Sequence, residues 1–376
     1  MRKKSLLFAA IAAMLMSACS KDPDTEIPAK NARVEIVVSG KSAASTRATG
    51  TLATLNENTI TNVTVGLFKL DGTTDNITEG ALIAGKITVT GTAGDRDIIV
   101  VANAPTGTFA GALTKDEFRQ RALSLTQVKT MLPMSGESTA PSNLVGGITK
   151  SASVEVSRLV ARIQIVGLNT AFSAVGQYAN ASFTLDKVFL YNAMSTSQVG
   201  VVAPATTLVT SDLIHGWTGP NEGTATTNID LVDKEINTPI TSAAYTTPYY
   251  FYAFQNYFAT GIDDTNKGTA TKLVIAGWFT PNKNVPGTKF YVYYPAVINR
   301  SQAGTNITGA DNGGNAVSDM SNISNKGIVR NNIYSIDATI KSIGVDSPEK
   351  FMEPAALELG VTVADWNLTI NQKIDF

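Results

Sequence analysis

The segment 33–39 (Arg-Val-Glu-Ile-Val-Val-Ser) alternates in polarity and sets Val34, Ile36 and Val38 on one side, the period of a strand with one buried face. The same period returns over 62–70, where Val63, Val65 and Leu67 align, and over 86–90. Residues 97–103 instead carry a continuous apolar run, the pattern of a strand covered on both faces. Further strands are predicted over 154–166, 182–192, 248–254, 272–279, 289–294 and 334–340. One helix is predicted: Thr114 is its cap, Glu117 follows three residues on, and Phe118, Ala122 and Leu125 share a face. Wide loops rich in Gly, Asn and Thr join the strands, so the pattern predicts an all-β protein of β-sandwiches.

The end of the chain repeats the pattern of its beginning. Leu357, Leu359, Val361 and Val363 alternate strictly, and Trp366, Leu368 and Ile370 continue on the opposite parity toward the last residue, Phe376. A bulge or bend near Ala364 and Asp365 must re-aim such a strand. The stretch 344–354, with Pro348 and Pro354, reads as a linker or hinge. A loop of Pro, Ser and Gly over 133–147 separates the strands before it from those after it. A chain of 376 residues is long for one core, so two domains are predicted, divided in or just after that loop.

The first residues carry a different message. Lys3 and Lys4 precede an apolar run over 6–15, too short to span a bilayer, and Ser17 and Ala18 lead into Cys19. That is the site a lipoprotein signal peptidase cuts, leaving Cys19 acylated as the first residue. Two acyl signals hold a protein on a membrane stably, each buried methylene contributing roughly 0.8 kcal/mol. An ordinary secretion signal with a chance cysteine is the alternative. Residues 20–31 then form a polar tether, and 40–50 is a small-residue stretch with one arginine, Arg47, that has no apolar face to bury.

Composition removes most chemistry. Lys and Arg number 30 against 31 Asp and Glu, with no basic cluster, so nucleic acid is not an expected partner. Cys19 is the only cysteine and His215 the only histidine, which excludes internal disulfides, cysteine metal sites and multi-histidine metal sites. His215 lies in Leu-Ile-His-Gly-Trp and reads as a structural residue at a turn or strand end. The aromatic run 249–254 suits carbohydrate stacking or an alternating central strand, and the strand explains it better. Asp263 and Asp264 offer oxygen ligands without the remaining donors of a calcium loop, which leaves a turn. No catalytic residue, metal or cofactor is assigned, and the chain is not read as an enzyme.

Several segments together resemble the fimbrillin family, the shaft subunits of lipoprotein-derived (type V) pili of anaerobic Gram-negative bacteria. They are the Ala-Cys lipobox at Cys19, the stretch ending in Arg47-Ala48, Ile-Val-Val-Ala-Asn at 99–103 and Ser-Arg-Leu-Val-Ala-Arg-Ile at 157–163. Most specific are Gly-Ile-Val-Arg-Asn-Asn-Ile-Tyr at 327–334 and the closing run 361–372. The resemblance implies two transthyretin-like β-sandwich domains in tandem, with the short helix in the first. It also implies an outer-membrane lipoprotein precursor, cut by an arginine-specific protease between Arg47 and Ala48. Loss of the strand bearing Val34, Ile36 and Val38 would open a groove. The neighbour's C-terminal strand, carrying Leu357, Leu359, Val361, Val363, Trp366, Leu368, Ile370 and Phe376, would fill it.

The implied division is a signal peptide over 1–18, a propeptide over 19–47 and a first domain over 48–150, completed by 33–39 before cleavage. A second domain over 151–345 and a linker with donor strand over 346–376 follow. Implied partners are further copies of the chain, accessory tip and anchor pilins, the protease and the outer membrane, with a cell-surface fimbrium serving adhesion and biofilm formation. The rival readings are a surface-anchored glycan- or nutrient-binding lipoprotein, and a tip or anchor pilin. The patterned C-terminus favours a shaft role.

Overall fold

The computed structural model describes residues 31–40, 57–200, 210–216, 232–233, 238–241, 249–285, 287–301, 305–310, 316–317, 324–352 and 357–365. Among these, the first half holds β1 (Asn31–Gly40), β2 (Val63–Lys69), β3 (Thr74–Gly80), β4 (Lys86–Thr92) and β5 (Gly94–Ala102). One α-helix, α1 (Lys115–Gln120), leads to β6 (Ala122–Ser124), β7 (Met134–Glu137), β8 (Ser142–Leu144) and β9 (Thr149–Arg158). Thr114 caps α1 by accepting from the Glu117 N–H, and Phe118 is its buried side chain.

β1 to β5 and β7 to β9 form one eight-stranded sheet in the order β3-β2-β5-β7-β9-β1-β4, with β8 beside β5. The sheet folds over on itself: Val34 and Ile36 of β1, Val65 and Leu67 of β2, Val100 of β5 and Val156 of β9 share one core. Its two ends are tied together. The Asp75 carboxylate on β3 accepts from the Thr92 N–H of β4 at 2.8 Å and pairs with Arg96 at 2.8 Å, and Asn76 donates to the Thr90 carbonyl. Gly136 is required where β7 crosses β9, since a Cβ there would lie 1.9 Å from the Glu155 carbonyl oxygen.

The second half begins with β10 (Val160–Thr170) and β11 (Ser182–Tyr191), then the short β12 (Ala193–Met194), β13 (Thr196–Gln198), β14 (Leu213–Ile214), β15 (Val232–Asp233) and β16 (Thr238–Ile240). β17 (Tyr249–Phe254), β18 (Asn256–Tyr257), β19 (Lys272–Thr280), β20 (Phe290–Val297), β21 (Thr305–Ala310) and β22 (Ala316–Val317) follow. β23 (Gly327–Ile328), β24 (Asn332–Ile340) and β25 (Leu357–Asp365) close the described chain. A six-stranded sheet, β17-β10-β24-β25-β21-β22, faces a five-stranded one, β15-β11-β19-β20 with β16 beside β11. Between them lies a second core built on Ile163, Leu185, Phe251, Ile275, Tyr294 and Ile336. β20 ends its sheet, and that edge is blunted. Tyr293 exchanges both backbone hydrogen bonds with Val345, and Pro295, of the same outward parity, has no N–H to offer.

Four expectations change. The loop expected over 133–147 holds β7 and β8, and α1 ends at Gln120, which leaves Ala122 on β6 and Leu125 beyond it rather than on a helical face with Phe118. The strand predicted over 154–166 is two strands in different sheets, parting at Leu159, whose N–H donates to the Pro133 carbonyl. The change of sheet thus falls past position 150, where the sequence placed the domain boundary. The aromatic run 249–254 ends its sheet rather than sitting at its centre. It is apolar on both faces because Tyr252 and Phe254 pack with Phe118, Leu132 and Leu159 in a third cluster between the halves.

Candidate functional site

The site is the position of β1. This first strand lies inside the sheet: it pairs antiparallel with β4 from Asn31↔Thr92 to Val37↔Lys86, and parallel with β9 from Arg33↔Thr149 to Gly40↔Val156. Ala32, Val34, Ile36 and Val38 are each 0 % exposed, whereas Glu35 points outward and pairs with Lys86. Burying the Val and Ile side chains contributes roughly 1.5–3 kcal/mol apiece before ordering costs. A strand removed from here leaves two unpaired ladder edges and an apolar furrow between them.

The tether of β1 starts and returns at one place. Gly40 lies beside Val156 on β9, and two residues further along β9 the Arg158 guanidinium donates to the Glu57 carbonyl at 3.4 Å and to the Asn58 side chain. Cutting between Gly40 and Glu57 therefore breaks no strand pairing of the described fold. Glu57 is fixed by a buried cluster: its carboxylate receives Arg162 Nη1 at 2.6 Å and the Tyr252 hydroxyl at 2.7 Å. Burial pushes the Arg158 guanidinium down to about 9 against the pull of Glu57, and burial beside that carboxylate raises the Tyr252 phenol. Arg158 closes β9, Arg162 lies on β10 and Tyr252 on β17, so this cluster joins the two halves. Sequence reasoning missed its role: Arg158 and Arg162 stood within the 157–163 motif, but nothing local pointed to Glu57.

At the other terminus, β25 runs antiparallel to β24, from Leu357↔Ile340 to Asp365↔Asn332, and parallel to β21. Leu357 and Leu359 are buried in the second core. Val361 and Val363 lie in the same strand by backbone register, opposite Ile336 and Tyr334. In this structure the segment 357–365 thus completes its own chain's sheet. β25 and β1 have matching surroundings, one antiparallel and one parallel neighbour each. Cys19, Arg47, Ala48, Trp366, Leu368, Ile370 and Phe376 lie outside the described residues. Ala364 and Asp365 pair with Ile333 and Asn332 without a register shift, so the bulge or bend expected near them is not found within the described strand.

The 327–334 motif has a structural account. The Tyr334 hydroxyl donates to the Gly327 carbonyl at 3.1 Å and accepts from the Val329 N–H at 2.8 Å, closing the turn before β24. Asn331, at φ 60°, accepts from the Arg158 N–H and donates its own N–H to the Val160 carbonyl, which clamps that turn to the change of sheet. Asp263 accepts from Thr265 and Asn266 within its own turn, and Asp264 pairs with Lys267 and Arg300. Among the described residues no cluster of His, Cys, Asp and Glu is arranged to hold a metal ion.

His215 is buried, stacks on Tyr191 at 4.1 Å and accepts from the Asn192 N–H at 3.0 Å through Nδ1. Burial, with Lys272 nearby, pushes its imidazole from 6.5 down to about 4. The unfolded chain binds the proton near 6.5 and the folded chain resists to about 4. His215 should therefore cost the fold about 2–3 kcal/mol as pH falls from 7 to 4. His215→Asn keeps the acceptor and loses the titration. Urea unfolding at pH 7 and pH 4 should show a smaller acid loss in the variant, and equal losses would contradict the assignment.

The model of the major fimbrial subunit protein (FimA) family matches residues 32–242. The major fimbrium subunit FimA type-3 of Porphyromonas gingivalis is 25% identical over 415 residues, covering 100% of both chains. A putative cell adhesion protein of Bacteroides eggerthii superposes with a TM-score of 0.67 at 23% identity, covering 91% of this chain and 98% of that one. A fimbrilin of Porphyromonas gingivalis does so with a TM-score of 0.62 at 20% identity, covering 91% and 99%.

Proposed function

This chain belongs to the FimA family of major fimbrial subunits, and we propose that it is a shaft subunit which polymerises by strand exchange once β1 has been cut away. As a member of that family it is a structural subunit of a cell-surface fimbrium rather than an enzyme, and other copies of itself and accessory pilins are its partners. Within the proposal, the two cores are the cores of two transthyretin-like domains. The precursor reaches the outer membrane lipidated on Cys19, and an arginine-specific protease cuts after Arg47. β1 then departs with the lipid anchor, and the arm 366–376, the end of the C-terminal segment of a neighbour, takes its place. Adhesion and biofilm formation follow from the assembled shaft.

The observation that carries this reading is the place of β1: a terminal strand, fully buried on one face, between an antiparallel and a parallel partner. While covalently attached, it competes at an effective concentration of about a millimolar, so a strand from another molecule loses. Cleavage removes that advantage for good. β25 keeps its place in its own sheet, and the arm beyond it, with Trp366, Leu368, Ile370 and Phe376, supplies the apolar side chains for the neighbour's furrow.

Treatment of the precursor with an arginine-specific protease tests the reading. Residues up to Arg47 should be lost, followed by ladders that survive sodium dodecyl sulfate without heating. A product that loses β1 yet remains monomeric at high concentration contradicts it.

A further inference from the structure

We propose that the outward face of the five-stranded sheet is a platform for an acidic saccharide, with Trp278 and Tyr291 as its stacking surface and Lys187 and Lys289 as its charge selectors. The platform belongs to the second half alone and is independent of β1 and of strand exchange.

Register places these side chains together. β11, β19 and β20 lie side by side, and Trp278 stands opposite Thr184 on one neighbour and Tyr291 on the other. Leu185, Ile275, Phe279 and Tyr294 point into the second core, so Trp278, Tyr291 and Tyr293, of the other parity, face outward. The register shifts between Leu185 and Lys187, which makes Asp186 the extra residue of a bulge and turns Lys187 outward. Gly277 permits the close approach there, since a Cβ would lie 2.1 Å from the Thr184 carbonyl oxygen.

The bulge fixes the platform. The Asp186 carboxylate accepts from the Tyr291 hydroxyl at 2.6 Å, so the Tyr291 side chain reaches across β19. Burial beside that carboxylate raises the phenol, which stays a donor. Trp278 meets Tyr291 edge to face at 5.1 Å and 84°, and Tyr293 does so at 5.4 Å and 71°. Rings held in this way lose little freedom when a ligand stacks on them.

Elsewhere this face is covered. Val345 exchanges backbone hydrogen bonds with Tyr293, and the Pro348 and Glu349 carbonyls receive the Lys272 ammonium. Under that strap Tyr293 and Tyr191 are each 8 % exposed. Trp278 is 37 % exposed, and Tyr291 beside it is half-buried. An uncovered aromatic pair on an otherwise covered face is a surface for a ligand.

Charge and edge chemistry select the occupant. A polypeptide strand cannot add here, because Val345 and Pro295 blunt the β20 edge. Lys289 Nζ lies 4.7 Å from the Trp278 ring centroid, and Lys187 Nζ lies 5.7 Å from that of Tyr291. The segments 171–191 and 278–291 carry Lys187, Lys283 and Lys289 against Asp186 alone, and Asp186 already holds Tyr291. Asp346 on the strap is paired with Lys350 at 2.6 Å. The ground is therefore locally positive in a chain of net charge −1. A sugar ring offers Trp278 an apolar face of C–H groups with hydroxyls at its rim. A carboxylate on that ring draws the two ammonium groups off the aromatic faces, exchanging exposed cation–π contacts for charge-assisted hydrogen bonds. A nucleic acid would bring far more phosphates than these lysines can neutralise. One platform per subunit also lets weak single-site binding add up along a fimbrium.

Calorimetric titration of the uncleaved precursor with hyaluronan hexasaccharide, sialyllactose and neutral maltohexaose tests this. An acidic probe should bind roughly tenfold more tightly than maltohexaose, and the acidic probe preferred tells a uronate from a sialate. Trp278→Ala should weaken that binding roughly tenfold with an unchanged urea midpoint, and Trp278→Phe should restore most of it. Lys187→Gln with Lys289→Gln should bring the acidic probe down to the affinity of maltohexaose. Acidic probes that bind no better than maltohexaose, or an unchanged affinity in Trp278→Ala, overturn the proposal. Tighter binding of a single-stranded oligonucleotide overturns it too, as does a precursor that dimerises through Trp278 and binds no saccharide.

Discussion

Removal of residues 366–376 should abolish polymerisation of the processed chain while leaving export, cleavage and the two cores intact. The boundary matters. Cutting back to residue 357 would also remove β25, which pairs with β24 and β21 and buries Leu357 and Leu359, and the second core would fail for reasons unrelated to assembly. Cutting after Asp365 spares those pairings. The lost arm carries Trp366, Leu368, Ile370, Ile374 and Phe376, each contributing roughly 1.5–3 kcal/mol when buried, so a junction built without them is weaker by many powers of ten. The check is gel resistance to sodium dodecyl sulfate together with sedimentation of the processed, truncated chain. Full-length ladders from that chain would show that the arm is dispensable.

The second large effect concerns the plug. Ile36→Asp should let the uncleaved precursor assemble without protease. Ile36 is 0 % exposed, with Val34 and Val38 buried beside it, and a carboxylate there forfeits its burial and meets no partner. The loss is on the order of 4 kcal/mol or more, enough to cancel most of the advantage of covalent attachment. The control is built into the proposal: with cleavage after Arg47, residue 36 would leave with the propeptide, and the processed variant would be identical to the processed wild type. Assembly of the uncleaved variant at a rate near that of the processed chain is the expected outcome. A variant precursor that stays monomeric with its first core intact would show that the strand is not what holds assembly back.

Much of this was legible in the sequence where local pattern sufficed. The alternation of Val34, Ile36 and Val38 announced a one-faced strand, and Thr114 with Glu117 announced the helix, because both signals lie within a few residues. The place of β1 between β4 and β9 was not legible, since parallel pairing of Arg33 with Thr149 leaves no local trace. The break at Leu159 hid within one continuous strand-like stretch: Val154 and Val156 face one core, while Leu159 and Val160 belong to the cluster between the halves. β3 was missed because its sequence, Thr-Asp-Asn-Ile-Thr-Glu-Gly, has a single apolar side chain, Ile77, and is mostly half-buried. The Glu57 cluster was missed for the opposite reason. Its charged residues looked like surface, and only the fold brings Arg158, Arg162 and Tyr252 around one carboxylate.

Hydrogen exchange at the backbone amides of β4 and β9 tests the central claim most directly, because those amides flank β1 on both sides. The account predicts protection in the precursor, rapid exchange in processed monomers and restored protection in polymers. Amides that stay protected after cleavage in monomers lacking β1, or stay open in fully formed polymers, would contradict it.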